Sequence, residues 1–315
     1  MGVLIVVVSA CGFGSGALFA KPAYDAGIDW LTLLAWRFAI GATLAWAWLL
    51  ISPARRVGLR AISRRQVAGA LALGALYTGN ASAYYAALET VSASLAALIV
   101  YIYPVLVAVL TLRIGRPLEG RRAWTALAVA TLGAALAIGG IDTTHPPPLS
   151  GLLLAVASPI IYACWIVLSA RLGGERRDRT GHEDDAGAAA AVASALMMTA
   201  SAAIFWILGL ASGRPLAPTS IPAAAWGPLL GLGVASTFIA IQLFYAGARR
   251  IGAAQAALIS TVEPVYTITL AAVLLGEFLT PIQLAGGALI LGAVLLAQSS
   301  GAGRGAAPEL RLADE

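Results

Sequence analysis

Ten apolar stretches fill this chain almost end to end, and that removes most of the folds open to 315 residues. They run over 3–20, 30–51, 67–87, 92–112, 123–139, 151–170, 187–210, 223–247, 252–275 and 281–297. A helix needs roughly 20 apolar residues to cross roughly 30 Å of hydrocarbon. Hydrophobic residues make up 60% of the chain and charged residues 11%, more apolar surface than a water-soluble core could bury. Only helices or closed barrels satisfy every backbone group in lipid. The runs are continuous rather than alternating, which predicts helices and not barrel strands. The expected fold is an all-α integral membrane protein with ten transmembrane helices.

The basic residues sort by loop. With the N-terminus in the cytoplasm, seventeen arginines fall in inside loops and the tail, among them Arg55, Arg56, Arg121, Arg122, Arg249 and Arg250. Only Lys21 and Arg214 fall outside, and Arg37 lies within a span. Short loops rich in Lys and Arg stay cytoplasmic. The net charge of +5 is therefore a topology signal rather than a nucleic-acid patch. The first span has no basic segment ahead of it and a second span follows at once, so it reads as a helix and not a cleaved leader. Cys11 and Cys164 both lie within spans and suggest neither a disulfide nor a metal site. Nineteen Arg against one Lys, with abundant Ala and Gly, points to a GC-rich bacterium and so to its inner membrane.

Shifting the chain by 160 residues lays 84–106 over 244–266, with nine of the 23 pairs identical. The alanine matches carry little weight. Tyr85/Tyr245, the Leu98-Ile99 and Leu258-Ile259 pairs, and Pro104-Val105 over Pro264-Val265 carry more. The shift places the fourth span over the ninth, so each half has five helices. An odd number inverts one half relative to the other, a plan common to secondary transporters with substrate held near the midplane. The halves are expected at 1–142 and 149–298, with a disordered cytoplasmic tail over 299–315. The polar stretch 172–185 holds His182, Glu183, Asp184 and Asp185 and reads as a solvated loop before it reads as a metal site.

Three segments carry a family resemblance: AWRFA at 35–39, YIYPVLV at 101–107, and VEPV at 262–265 followed by 276–279, Gln283 and 286–290. Together they resemble EamA-type members of the drug/metabolite transporter superfamily over both halves. The resemblance implies two inverted five-helix repeats that carry metabolites out of the cytoplasm. Where the second half has Glu263 and Glu277, the first has Tyr103 and Arg116–Pro117, so its side of the site is aromatic rather than acidic. Within the family, the chain is similar to aromatic amino acid exporters of the YddG type.

Other chemistries lack their residues. No GxxxxGK[ST] loop exists, and the lone lysine sits outside, so the chain does not hydrolyse nucleotides. His145 and His182 lie in loops, which leaves no buried Ser/His or Cys/His pair. No TVGYG-like filter is present. The glycines of GFGSG at 12–16 lie inside a span and read as close helix packing. Arg37 is the one basic group at depth, which disfavours a multiply anionic substrate. The chain is not expected to be an enzyme or to need a cofactor. Its expected partners are a small-molecule substrate and the lipid bilayer, with no nucleic acid, and a monomer fits that plan. A multidrug or nucleotide-sugar carrier of the same fold is the rival, and a membrane-embedded enzyme subunit a more distant one.

Glu263 sits about 16 Å into its span at roughly 1.5 Å per residue, near the midplane. A carboxylate there is costly unless paired, hydrated or protonated. Pro264 follows it and Pro104 is its counterpart, so both are expected hinges. Ligand and structural readings of Glu263 stand level. Arg37, about 10 Å below the outer edge, can meet a substrate carboxylate, hold another span or snorkel, and the structural reading leads. Tyr77, Asn80 and Tyr84 share one helix face and are expected to line the cavity. Tyr101 and Tyr103 are about 200° apart, so at most one fully faces it. For Trp165, cavity lining and packing stand level, whereas Trp36 reads as lipid-facing or packing. Gln242 and Gln255 are polar lining from the second half.

Both termini are expected in the cytoplasm. Single cysteines placed in a cysteine-free variant at 142–148 and 213–221 should react with an impermeant label in sealed cells, and those at 176–184 should not. The reverse pattern would sink the inverted arrangement.

Overall fold

The computed structural model describes residues 1–53, 55–56, 59, 62–100, 102–114, 120–138, 147–172, 183–276 and 280–302. Among them there is no strand, and helices account for nearly all of these residues. The first helices are α1 (Gly2–Asp25), α2 (Trp30–Ile51), α3 (Arg64–Ala87), α4 (Ala93–Val100), α5 (Tyr103–Ile114) and α6 (Arg121–Ile138). Next come α7 (Leu149–Leu172), α8 (Glu183–Ala211) and α9 (Ala223–Gly231), which a π-helical turn (Leu232–Ile239) joins to α10 (Ala240–Ile251). The last are α11 (Ala253–Ile259), α12 (Val262–Leu275) and α13 (Pro281–Ala302). Among the described residues, six stretches are long and apolar enough to cross a membrane: Gly2–Asp25, Trp30–Ile51, Leu149–Ser169, Ala191–Ala211, Ala223–Ile251 and Gln255–Leu274. The chain is a multi-pass membrane protein. Helix α3 falls outside the six, because Arg64, Arg65, Gln66, Asn80 and three tyrosines reduce its hydropathy.

Local chemistry sets the helix ends. Asp29 caps α2 by accepting the Leu31 and Thr32 N–H groups (2.9 and 3.1 Å). Ser63 and Gln66 form a reciprocal capping box at the start of α3. Gly252, at φ +86°, turns α10 straight into α11, a conformation that glycine adopts without a Cβ penalty.

The expected fourth and ninth spans are both broken. Helix α4 stops at Val100 and α5 starts at Tyr103, while α11 stops at Ile259 and α12 starts at Val262. The breaks fall just ahead of the prolines expected as hinges. Pro264 has no N–H for the Ser260 carbonyl, which accepts the Glu263 N–H instead (2.9 Å). Each proline then occupies the first turn of the helix that follows, where a missing N–H costs nothing. The expected disordered tail begins at 299, yet α13 continues to Ala302. Residues 303–315 and the central loop at 173–182 are outside the described residues.

Packing follows the two halves. Pair α1 with α7, α2 with α8, α3 with α9–α10, α4–α5 with α11–α12, and α6 with α13. The main contacts then map onto themselves when the partners are exchanged. Helix α6 packs on α13 and α2 on α8. Contact of α3 with α7 is matched by contact of α10 with α1, and α5 on α7 by α12 on α1. The GFGSG glycines lie in these seams: a Cβ on Gly12 would come 3.0 Å from the Ala235 carbonyl and the Ala240 side chain. Close packing is their role, as the sequence suggests.

A candidate substrate cavity

A cavity opens between α1, α2, α3, the two broken pairs and α7. Its lining includes Arg37, Tyr77, Asn80, Tyr84, Tyr103 and Glu263 from the expected set. It also includes Phe13, Ala81, Tyr85, Val100, Ser158 and Tyr162. Counted over the positions that the centre of a water molecule can occupy, its volume is about 60 Å³. That is room for a handful of waters.

Arg37 is 2% exposed and docked on the π-helical turn. Its Nε donates to Thr237 Oγ1 (2.6 Å) and its Nη2 to the Ser236 carbonyl (3.1 Å). Thr237 Oγ1 donates onward to the Leu232 carbonyl (3.0 Å). The guanidinium carbon stands 4.7 Å from the Tyr85 ring centre and 5.2 Å from that of Phe38. Two hydrogen bonds and two ring faces compensate a buried cation. Arg37 therefore holds another span, as the leading sequence reading has it, and it also borders the cavity.

Glu263 is half-buried in the first turn of α12. A carboxylate there meets the positive end of the helix dipole, which lessens the cost of its depth. Tyr103, its counterpart under the 160-residue shift, faces the same cavity from the first turn of α5. Its hydroxyl donates to the Ala257 carbonyl on α11 (3.5 Å), so each broken pair reaches the other. Asn80 is 8% exposed and accepts the Ser158 hydroxyl on Oδ1 (2.8 Å).

The aromatic side chains form one connected wall. Tyr162 meets Tyr103 edge-on (ring centres 4.8 Å apart) and stacks on Trp165 (5.7 Å). Trp165 tilts against Tyr77 (4.8 Å) and touches Phe244 and Tyr245 (5.8 and 6.1 Å). Fully buried, it stands behind the lining tyrosines rather than on the cavity surface. Trp36 is packed, as expected, against Trp206 and Trp226 (5.4 and 4.9 Å). Gln242 and Gln255, on α10 and α11, are not brought to the cavity. Tyr101 lies outside the described residues, as do His145, His182, Arg116, Pro117 and Glu277. Of the lining residues that the sequence reading missed, Ala81 and Tyr85 had a signal: with 77, 80 and 84 they complete the i, i+3, i+4, i+7, i+8 stripe of one helix face.

At the α1–α2 end, the segments beside the cavity are tied to one another. Lys21 Nζ donates to the Leu88 and Val91 carbonyls (2.7 and 3.2 Å), and the Tyr24 hydroxyl donates to the Tyr85 carbonyl (2.9 Å). The Trp30 N–H donates to Glu89 Oε1 (3.1 Å), and Arg214 pairs with Asp29 (3.6 Å).

The sequence profile of the EamA-like transporter family matches residues 1–139 and again 149–298. The chain belongs to that family. It is a transporter rather than an enzyme. This EamA-like transporter is 26% identical over 293 residues to a Bacillus subtilis protein named uncharacterized transporter YcbK, covering 90% of this chain and 88% of that one. It is 28% identical over 219 residues to an uncharacterized transporter of Archaeoglobus fulgidus, covering 69% and 71%. A solved crystal structure superposes with a TM-score of 0.72 at 18% identity, covering 95% of this chain and 96% of that one, which speaks for the fold.

The Arg37 anchor generates a stability prediction. Thr237→Val keeps shape and removes one acceptor from a buried guanidinium. It should destabilise the detergent-solubilised transporter by about 1 kcal/mol, the scale of a hydrogen bond between membrane helices, read by SDS titration. An unchanged midpoint would mean that Arg37 is held elsewhere.

Proposed function

We propose that this transporter exports small zwitterions with apolar or aromatic side chains, neutral or aromatic amino acids, from the bacterial cytoplasm across the inner membrane. One observation carries the reading: Arg37, Glu263 and Asn80 border a single cavity ringed by tyrosines. A cation, an anion and an amide suit the two poles of an amino acid, and the rings suit its side chain. Ring-on-ring contact is worth about 0.5–1.5 kcal/mol beyond area burial. Among the described lining residues Arg37 is the only cation, which disfavours nucleotide-linked sugars with their paired phosphates.

The cavity is far below the roughly 300–1,000 Å³ typical of ligand pockets. The arrangement is thus a closed one, and solute enters only when the halves move apart. Two family matches in tandem and a packing pattern that survives exchange of the halves support ten spans in two inverted five-helix repeats, 1–142 and 149–298. Alternating access then comes from one repeat rocking against the other, with both termini cytoplasmic.

A proteoliposome uptake screen over amino acids, with quaternary-ammonium drugs and nucleotide sugars as competitors, tests the reading. Phenylalanine, tryptophan or leucine should be taken up and compete with one another. Competition by drugs alone would replace the amino-acid reading with the multidrug one. Tyr84→Ala should weaken phenylalanine uptake more than alanine uptake, and equal losses would confine Tyr84 to helix packing.

Glu263→Gln should abolish or strongly slow uptake while leaving the size-exclusion profile intact. Wild-type rates in that variant from pH 5 to 8 would remove Glu263 from both substrate binding and proton coupling.

A further inference from the structure

Asn80 is the one amide in the described lining, and an amide can face solute with its oxygen or with its NH2. Which of the two it presents decides whether the site grips a carboxylate or an ammonium. Its neighbour on α7 settles that choice. Ser158 is fully buried, and its hydroxyl donates to Asn80 Oδ1 at 2.8 Å. With the amide oxygen taken, the NH2 is the group left for the cavity that Asn80 borders. Among the described residues no hydrogen bond to that nitrogen is formed, although the side chain is more than nine-tenths buried. That donor meets only the few waters the cavity can hold until solute supplies an acceptor.

We infer that Ser158 is a positioning residue that locks Asn80 as a hydrogen-bond donor to the substrate's carboxylate, and so sets the transporter's preference for acids over the corresponding amines. The inference rests on the amino-acid reading above and assigns it a polarity. Asn80 and Arg37 serve the carboxylate, and Glu263 is left for the ammonium group. Ser158 acts through Asn80. Its place in the chain fits that task, because Pro159 follows it and removes one rung from the α7 ladder at the turn that faces α3.

The test compares phenylalanine with phenethylamine, which lacks the carboxylate, in proteoliposomes of the full-length protein. Ser158→Ala frees the amide to turn and should raise the KM for phenylalanine by roughly ten- to a hundredfold, the scale of one hydrogen bond to a charged group. Its kcat should change little, and inhibition by phenethylamine should not weaken. Asn80→Asp keeps the Ser158 bond and replaces the NH2 with an oxygen. It should lose phenylalanine and gain phenethylamine, and it keeps the inference testable if Ser158→Ala does not assemble. Parallel losses for both compounds in Ser158→Ala, or an Asn80→Asp variant that still prefers phenylalanine, would overturn the assignment. Wild-type protein that moves no amino acid would overturn the amino-acid reading and this inference with it. Wild-type transport of amino acids with an unchanged phenylalanine-to-phenethylamine ratio in both variants would overturn the roles of Ser158 and Asn80 and leave the amino-acid reading standing.

Discussion

A carbonyl or N–H that loses its helical partner inside a bilayer has only protein to turn to. This constraint organises the centre of the molecule. The chain departs from regular helix at three places near the cavity: the two broken pairs and the π-helical turn. The π-helical turn and the α11–α12 break are answered by side chains that also border the cavity. Arg37 donates to the Ser236 carbonyl and to Thr237, and the Tyr103 hydroxyl reaches the Ala257 carbonyl. Glu263 brings its negative charge to the positive end of its own helix. The polar groups offered to solute are thus the ones that keep irregular backbone tolerable in lipid.

The aromatic wall adds stiffness of a different kind. Trp165 touches Tyr77, Tyr162, Phe244 and Tyr245, and through them joins α3, α7 and α10. Ring faces and edges fit in few arrangements, so a motion of α10 against α7 must exchange whole contacts rather than stretch them. The tyrosines on the cavity side of that wall would feel the exchange first.

Much of the fold was legible because lipid permits so few answers. Long apolar runs became helices, and the run over 30–51 matches α2 residue for residue. The 160-residue shift aligned two segments that both prove to be broken, and it paired Tyr103 with Glu263, which face one cavity. The break itself was legible in Pro264, although it falls ahead of the proline. The site was half legible. Depth and polarity picked out Arg37, Asn80 and Glu263. Tyr85 was hidden because the stripe on α3 was read too narrowly. Trp165 shares a face with Ser158 and Tyr162, yet the cavity stops a turn short of it. Phe13 gave no signal, since an apolar ring in an apolar span looks the same on every face. Gln242 and Gln255 carried the right chemistry on the wrong side of their helices, which periodicity in uniformly apolar helices could not tell.

Lys21 has a consequence of a practical kind. It is the one lysine of the chain, and its ammonium is bound to two main-chain carbonyls where α1 meets the turn between α3 and α4. An amine held in that way is no nucleophile. Any motion that parts these two segments releases it, and then the molecule exposes a single reactive side-chain amine at the moving edge. Nature has left this protein with a built-in attachment point whose chemistry switches on with opening.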